Sequence, residues 1–199
     1  DGVELVYQVN HLSPFLLTEL LLPALKAAAP SRIVHVSSAM HTKGTVDHAA
    51  YNSTSRNVIR GTFRLNYQTY QDTKLMQLIY SKELTSRLQG TGVVSNSVHP
   101  GAVVSNIDNH KAPGWKELAQ FFKAWLGRST PDGAITQLVA SVDPNMGNVS
   151  GKYLSDRCVS NLCQSCVFCG QDGEAVHPAV ANVTEQKWLH RTSREIVGL

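Results

Sequence analysis

Two β-branched runs separated by a long helical segment constrain the fold more than any other feature of this sequence. Residues 32–37 and 93–98 have the length and composition of short buried strands. Between them, residues 69–88 carry apolar side chains at helical spacing, and Gly90 stands where a helix commonly ends. A strand, a helix and a strand in this order form a parallel pair with a crossover helix. The sequence therefore predicts an α/β fold built on a parallel sheet.

The N-terminal part of the chain adds a further helix and a long loop. A helical pattern covers residues 3–28, and Pro14 and Pro23 are expected to bend it or to mark the junction of two helical pieces. Residues 40–68 are polar and turn-rich, and a loop of this length inside a compact domain usually has a function.

The C-terminal part is expected to contain a helix, a strand and a closing helix. The first helix is predicted at residues 130–142, with Thr130 as its N-cap and Pro131 at its first position. A short strand is expected at residues 151–154 and a polar helix at residues 184–197. We therefore expect residues 1–199 to form a single domain.

The strongest indication of chemistry is the Tyr-Gln-Asp-Thr-Lys segment at residues 70–74. A spacing of four residues places the phenol of Tyr70 and the ammonium of Lys74 on one face of a helix, one turn apart. A tyrosine, whose pKa is ordinarily ~10, becomes a useful proton donor or acceptor when a fixed positive charge lies beside it. Many helices carry such a pair as packing and solvated surface, so the spacing alone leaves both interpretations open.

Composition and charge exclude several classes of function. The chain has 199 residues, enough for one domain with a core, and its net charge of +3 is too small to indicate a nucleic-acid partner. The most apolar stretch, residues 15–29, is interrupted by Glu19, Pro23 and Lys26, and it is too short to span a bilayer. Because the chain begins at Asp1, we expect a fragment or processed form, in which any N-terminal targeting peptide or membrane anchor would not be visible.

Four short motifs follow one another along the chain. They are Val-Asn-His-Leu at residues 9–12, Arg-Ile-Val-His-Val-Ser-Ser at 32–38, Tyr-x-x-x-Lys at 70–74 and Asn-Ser-Val-His-Pro-Gly at 96–101. In this order they resemble the C-terminal half of the short-chain dehydrogenase/reductase superfamily over about residues 1–156. The chain is most similar to the retinol-dehydrogenase branch and to the oxidoreductase domain of the WW-domain oxidoreductase. The resemblance implies a Rossmann-type doubly wound parallel sheet and an NAD(P)-dependent alcohol dehydrogenase or carbonyl reductase.

The resemblance also implies four catalytic residues. Hydride transfer to a ketone leaves an alkoxide that needs a proton, and Tyr70 would supply it as the acid/base. Lys74 would lower the pKa of Tyr70 and hold ribose hydroxyls of the cofactor. Ser38 would hydrogen-bond the substrate oxygen, and Asn10 would hold a water in a proton relay to Lys74. The alternatives are that Ser38 caps the end of its strand and that Asn10 bonds the helix backbone.

The turn after the second strand is the cofactor loop that the resemblance implies. The residues assigned in this way to binding NADP or NAD are Tyr70, Lys74, Pro100, Gly101, Val103 and Ser105. Glycine suits such a loop because it has no side chain to prevent the backbone from approaching a planar ring. The alternative is an ordinary turn at the end of a strand.

The sequence departs from the family pattern at its beginning. The glycine-rich dinucleotide turn of the family, Thr-Gly-x-x-x-Gly-x-Gly, does not occur in the chain. It belongs to strands that would precede Asp1, on the order of a hundred residues at roughly 30 residues per βαβ unit. We therefore expect the N-terminal cofactor-binding strands to be missing, and we expect this chain alone not to bind NAD(P)H tightly.

An amphipathic helix is predicted at residues 113–128, with its aromatic and aliphatic side chains on one side. The family has its substrate-binding lid at this point, and an aromatic stripe would suit a small lipophilic alcohol or carbonyl of the retinoid or steroid type. The alternatives are packing into the core and a homodimer contact. Membrane association has little support, because the helix carries few basic residues.

The cysteines form one cluster in a predicted loop at residues 157–183, before the closing helix at 184–199. They are Cys158, Cys163, Cys166 and Cys169. Such crowding does not look like a secreted disulfide framework, and it favours a cytoplasmic or membrane-associated intracellular location. Closely spaced thiols with His177 nearby could hold zinc or an iron–sulfur cluster, but common zinc modules separate two cysteine pairs by a longer arm. We therefore predict no metal site and free loop cysteines.

A non-catalytic interaction module is the alternative function from another class. Such a protein would be a truncated chain that keeps the scaffold and binds a partner protein through its exposed face.

Overall fold

The described strands form a parallel sheet with helices on both faces. The computed structural model describes residues 3–51, 63–103, 128–155 and 176–199. In chain order, the main elements are α1 (Leu5–Tyr7), a π-helical turn (Gln8–Leu12), α2 (Ser13–Ala27), β1 (Ser31–Val36), α3 (Phe63–Arg87), β2 (Val93–His99), α4 (Thr130–Val142), β3 (Tyr153–Ser155) and α5 (Val183–Val197). Within the same residues, short 3-10 helices cover Ala39–Lys43, Pro144–Met146 and Pro178–Ala181.

The described strands pair in the order β1–β2–β3, and both pairings are parallel. β1 pairs with β2 from Ser31 opposite Val93 to Val36 opposite Val98. β3 extends the sheet on the other side of β2. The helix between β1 and β2 is therefore a crossover connection, which confirms the strand–helix–strand unit predicted from the sequence.

Alternate residues of the strands face two separate hydrophobic cores. On one face, Ile33 packs against a cluster that includes Val93. On the other face, Val34 packs against a cluster that includes Val98. The first core draws on α2, α3 and α5 through Phe15, Leu22, Leu75, Ile79, Leu84 and Leu189, and the second draws on α4 through Ala140. A sheet covered on both faces in this way is doubly wound, and the predicted fold class is confirmed.

The helix α3 carries the centre of the first core. Its side chains Leu75, Met76 and Ile79 are completely buried. α3 begins at Phe63, six residues before the predicted start at Thr69. The prediction was wrong there because the apolar residues of the segment 63–68 alternate with polar ones and do not recur at helical spacing, although the segment contains no glycine or proline that would stop a helix.

Smaller corrections concern the ends of other elements. The N-cap of α4 is Ser129, whose side chain accepts a hydrogen bond from the backbone of Asp132, so Thr130 is already helical rather than the cap. β3 covers Tyr153–Ser155 instead of residues 151–154. Gly151, which was placed in that strand, has φ 74° and belongs to the turn before it. The predicted amphipathic helix up to residue 127 and the cysteine cluster lie outside the described residues. Arg128, its predicted last residue, is not helical and forms an isolated bridge with Val103.

The N-terminal helical segment changes its hydrogen-bonding pattern just before Pro14. The π-helical turn ends where the N–H of Ser13 bonds the carbonyl of Gln8, five residues earlier. α2 then begins with Pro14 in its first turn and continues through Pro23. The predicted junction of two helical pieces is therefore this π-helical turn, and Asn10 lies at its centre.

The apolar stretch at residues 15–29 forms most of α2. In the part of the chain that the structure describes, no helix combines the length and the apolar character that crossing a membrane requires.

Two histidines are buried in the first hydrophobic core, beside the ring of Tyr80. His11 is 1% exposed, and its Nε2 lies 2.8 Å from the hydroxyl of Ser193. His35 is 6% exposed, and its ring meets the ring of Tyr80 edge-on. Burial lowers the pKa of His11 to about 3 and the pKa of His35 to about 4. Both imidazoles are therefore neutral in the folded chain at pH 5.

Acidification from pH 7 to pH 5 is expected to destabilise the fold. In the unfolded chain both histidines bind protons near their ordinary pKa of ~6.5, whereas the folded chain excludes those protons. The free energy of unfolding therefore falls as the pH drops below ~6.5, and each histidine accounts for about 2 kcal/mol of the loss by pH 5. Urea unfolding at the two pH values measures this loss. The His11→Gln variant should lose about 2 kcal/mol less than the wild type, and an equal loss in both proteins would contradict the assignment.

Candidate functional site

Ser38, Gly101 and the side chain of Lys74 lie at the carboxyl edge of β1 and β2. Parallel strands present their carboxyl ends on the same side of a sheet, where ligands bind in folds of this class. β1 ends at Val36 and leads into Ser38, while β2 ends at His99 and leads into Gly101. The N–H of Ser37 still bonds the carbonyl of Val98 at 2.8 Å, so the two strands remain paired up to this edge.

Lys74 reaches this edge from α3. Its Nζ donates a hydrogen bond of 2.7 Å to the carbonyl of Val36, the last residue of β1. The same Nζ lies 5.6 Å from the centroid of the Tyr70 ring, one helical turn away. Burial lowers the pKa of Lys74 to about 8, so the group is still mostly an ammonium at neutral pH. The structure thus places a positive charge and a half-buried phenol together, as the four-residue spacing predicts.

The two serines after β1 have different contacts. Ser37 donates its hydroxyl to the carbonyl of Lys74 at 2.7 Å, which ties the strand end to α3. Ser38 begins the 3-10 helix that follows, and its Oγ accepts a bond of 3.2 Å from the N–H of Met40. In that bond the Ser38 oxygen is the acceptor, so the bond does not use the hydroxyl proton of Ser38. Ser38 therefore caps the 3-10 helix that follows, which differs from the strand-end cap considered as the alternative. Its role toward a substrate stays a prediction.

The carbonyl of Ser38 is held by a buried histidine. Nδ1 of His41 lies 2.7 Å from this carbonyl. The ring of His41 is completely buried and meets the ring of Tyr153 from β3 edge-on, with 4.8 Å between the ring centroids. His41 therefore holds the main chain at Ser38 in place and connects it to Tyr153 in the third strand of the sheet.

Asn10 packs against the same turn of α3. Its Nδ2 donates to the hydroxyl of Thr73 at 3.2 Å, and its backbone carbonyl accepts a bond of 2.7 Å from Nε2 of Gln77. Thr73 in turn donates to the carbonyl of Tyr70 at 2.9 Å. The structure therefore brings Asn10 beside the residues of the 70–74 motif, and the water relay expected of it stays a prediction.

The turn after β2 has a backbone conformation that favours glycine. Gly101 has φ 88°, in the left-handed region where a side chain would be strained. Val103 forms an isolated parallel bridge with Arg128, and a Cβ placed on Gly133 of α4 would lie only 2.3 Å from the Val103 side chain. The loop is thus packed closely onto the start of α4. Ser105, the last predicted member of this loop, lies outside the described residues.

Sequence relatives of this chain are dehydrogenases and reductases by name. The chain is 38% identical over 200 residues to human dehydrogenase/reductase SDR family member 13, an alignment that covers 100% of this chain and 48% of that protein. It is 38% identical over 159 residues to mouse retinol dehydrogenase 12, covering 78% of this chain and 46% of the relative. The chain thus spans about half the length of the curated relatives it matches. No protein-family model matches it.

The chain belongs to the short-chain dehydrogenase/reductase superfamily. Solved structures agree with the fold at 23% identity. An uncharacterised protein from Mycobacterium paratuberculosis matches 95% of the chain with a TM-score of 0.60, which covers 57% of that protein. A proposed short chain dehydrogenase from Pseudomonas syringae matches 74% of the chain with a TM-score of 0.52, which covers 49% of it.

Sequence reasoning missed several residues that support the site of this family member. Gln77 contacts both Asn10 and Lys74, and its position three residues after Lys74 on one helix was the available signal. His41 and Asp72 gave no comparable signal. Tyr153, which contacts His41, is distant in sequence. Thr45 and Tyr51, which donate to Asp72, belong to the turn-rich segment at residues 40–68.

Asp72 fastens that segment to α3. Its carboxylate is 3% exposed and accepts a hydrogen bond from the N–H of Thr45 at 2.7 Å. The other donors to it are the hydroxyl of Thr45 at 3.1 Å, the hydroxyl of Tyr51 at 2.7 Å and Nε2 of Gln68 at 2.8 Å. One buried carboxylate therefore organises the chain that follows Ser38 and the 3-10 helix.

Asp72→Asn is expected to lower the free energy of unfolding by about 1–3 kcal/mol. The amide would present an N–H₂ group to neighbours that are themselves donors, and one oxygen cannot replace two. Urea unfolding measures the loss. Asp47→Asn is the matched control, since Asp47 is exposed and an asparagine keeps the oxygen that accepts from Ala49 and Ala50. A loss no greater at position 72 than at position 47 would contradict this role for Asp72.

Proposed function

We propose that this chain carries the catalytic residues of an oxidoreductase that transfers a hydride between NAD(P) and an alcohol or carbonyl compound. The observation that supports this most is the position of the Lys74 ammonium, bound to the last carbonyl of β1 and 5.6 Å from the Tyr70 ring. A phenol beside a fixed cation at the ligand-binding edge of a parallel sheet can exchange a proton with a bound substrate.

Tyr70 is the acid/base in this proposal. In the reductive direction the carbonyl carbon of the substrate gains a hydride, and the oxygen takes the hydroxyl proton of Tyr70. Lys74 stabilises the phenolate that remains, and Ser38 donates its hydroxyl proton in a hydrogen bond to the same substrate oxygen. In the oxidative direction the phenolate accepts the alcohol proton.

The residues present fit the nicotinamide and ribose end of NAD(P), which supplies or accepts the hydride when bound. The ammonium of Lys74 uses two of its hydrogens on Val36 and Gln77, so a third can reach a ribose hydroxyl. The backbone at Gly101 has no side chain to obstruct a ring. By sequence, Pro100, Val103 and Ser105 belong to the same proposed cofactor loop. Whether the cofactor is NAD or NADP depends on residues outside these motifs.

The substrate in this proposal is a small lipophilic alcohol or carbonyl. Several relatives are named retinol dehydrogenases, including those from mouse and human, which favours a compound of the retinoid type over a steroid. The aromatic stripe predicted at residues 113–128 would form the apolar surface that such a substrate needs.

A non-catalytic scaffold is the second candidate, and a sequence observation supports it. The glycine-rich turn that binds the pyrophosphate in this family does not occur in the 199 residues. A chain without that turn could keep the fold and bind a protein partner without turning over a substrate.

Replacement of Tyr70 by phenylalanine should abolish hydride transfer. The variant is made in an extended protein that places the glycine-rich segment of a related retinol dehydrogenase before this chain. With NADPH or NADH and retinal as substrates, we expect kcat to fall by at least about 10²-fold, the usual contribution of a general acid. The control is Tyr67→Phe, which removes the hydroxyl of an exposed tyrosine from the same helix. Equal turnover by wild type and Tyr70→Phe would refute the proposal.

Titration of the 199-residue chain with NADH and NADPH tests whether these residues alone can hold the cofactor. Nicotinamide fluorescence should show no saturable binding to this chain, because one lysine and one turn cannot replace a phosphate-binding helix N-terminus. The extended protein should bind one equivalent. Stoichiometric binding by the 199-residue chain alone would contradict this expectation.

A further inference from the structure

We propose that Gln77 is a positioning residue that fixes the Lys74 ammonium by linking it to the backbone carbonyl of Asn10. The assignment deepens the proposed function and rests on it, because its purpose is to hold Lys74 beside Tyr70. Neither the four family motifs nor the helical spacing of Tyr70 and Lys74 points to a glutamine at this place.

The amide of Gln77 bridges two elements with its two ends. Its Oε1 accepts a hydrogen bond of 3.3 Å from Nζ of Lys74, and its Nε2 donates one of 2.7 Å to the carbonyl of Asn10. Gln77 is 7% exposed, so both bonds are made away from bulk water. The chemistry fixes the orientation of the amide, since the reversed one would point a donor at the ammonium and an acceptor at the carbonyl.

The carbonyl of Asn10 is available to Gln77 because the residue that would bond it in an α-helix is a proline. In an α-helix this carbonyl would accept from the N–H of the residue four positions later. That residue is Pro14, which has no N–H. The proline therefore leaves this part-buried carbonyl without its α-helical donor, and the side chain of Gln77 satisfies it.

A glutamine bridge acts differently from a bridging water. A water can accept a proton on one side and release another, whereas an amide in this geometry keeps both of its N–H hydrogens. Gln77 therefore cannot pass protons from Lys74 to the π-helical turn. What it does is restrict where the ammonium lies and stabilise its charged form with an oxygen acceptor.

The acceptor opposes the effect of burial on Lys74. Burial lowers the pKa of this lysine to about 8. Titratable groups on the elements around it include Tyr70 and Asp72 on α3, His11 on the π-helical turn, His35 on β1, His99 at the end of β2, and His41 and Lys43 on the 3-10 helix after Ser38. The pKa values of His11 and His35 are too low for them to change charge near pH 8. Asp72 is hydrogen-bonded to Thr45 and Tyr51, and Tyr70 is the group whose ring faces the ammonium.

Two substitutions at position 77 should move the titration of Lys74 in opposite directions. Gln77→Leu keeps the size of the side chain and removes the acceptor, so the pKa of Lys74 should fall by about one unit. Gln77→Glu places a carboxylate against the ammonium, so the pKa should rise by a similar amount. A substitution that only loosened the packing would not shift the two variants in opposite senses.

The measurement is a pH titration of the 199-residue chain carrying lysine labelled with carbon-13 at Cε, followed by NMR. The Lys74 resonance is identified as the one lost in Lys74→Arg. Gln186→Leu is the matched control, since Gln186 is also buried and donates to a backbone carbonyl, that of Val180, at 2.8 Å, on a different helix. It should leave the Lys74 titration unchanged.

A lower pKa in Gln77→Leu together with a higher one in Gln77→Glu supports the bridge, and any other pattern overturns it. If Gln77→Leu does not fold, Gln77→Met supplies the same test with an unbranched side chain. The readout needs neither cofactor nor substrate. A failed Tyr70→Phe experiment would therefore refute the proposed function without touching this result, and unshifted titrations would refute the bridge alone.

Discussion

The hydrogen bond from Lys74 to the carbonyl of Val36 is the contact on which the site depends. It joins the crossover helix α3 to the last residue of β1 at 2.7 Å. Without it, the helix could pack on the sheet while its polar residues remained away from the ligand-binding edge. Burial makes the ammonium costly, as the lowered pKa of Lys74 shows, so its acceptors at Val36 and Gln77 are needed for the charge to persist there.

The rest of the structure supports this contact through buried polar residues of α3. The hydroxyl of Ser37 donates to the carbonyl of Lys74, and the hydroxyl of Thr73 accepts a hydrogen bond from the side chain of Asn10. Asp72 binds the segment after Ser38 through Thr45. Asp72, Thr73 and Lys74 lie on α3, whose apolar side forms part of the first hydrophobic core. The same element thus supplies stability and carries the candidate chemistry, which couples the geometry of the site to the packing of the fold.

The sequence was sufficient for the parts of the structure that local patterns determine. The β-branched runs, the crossover helix and the four-residue spacing of Tyr70 and Lys74 all have short-range signals, and the parallel sheet and the shared helix face followed from them. The start of α3 at Phe63 was missed because the apolar residues of its first turns alternate with polar ones and do not recur at helical spacing. The contacts of Asp72 with Thr45 and of Gln77 with Asn10 join residues distant in the chain, and no pattern within one segment indicates such pairs.

Single-turnover hydride transfer by Lys74→Met is the most direct test of the account. The variant removes the ammonium and keeps a flexible apolar side chain in its place. In the extended protein, mixed with NADPH and retinal, the account predicts a rate constant at least about 10²-fold below that of the wild type, with the fold unchanged by circular dichroism. A wild-type rate constant in Lys74→Met would show that the charge beside Tyr70 has no part in the chemistry, and would contradict the account.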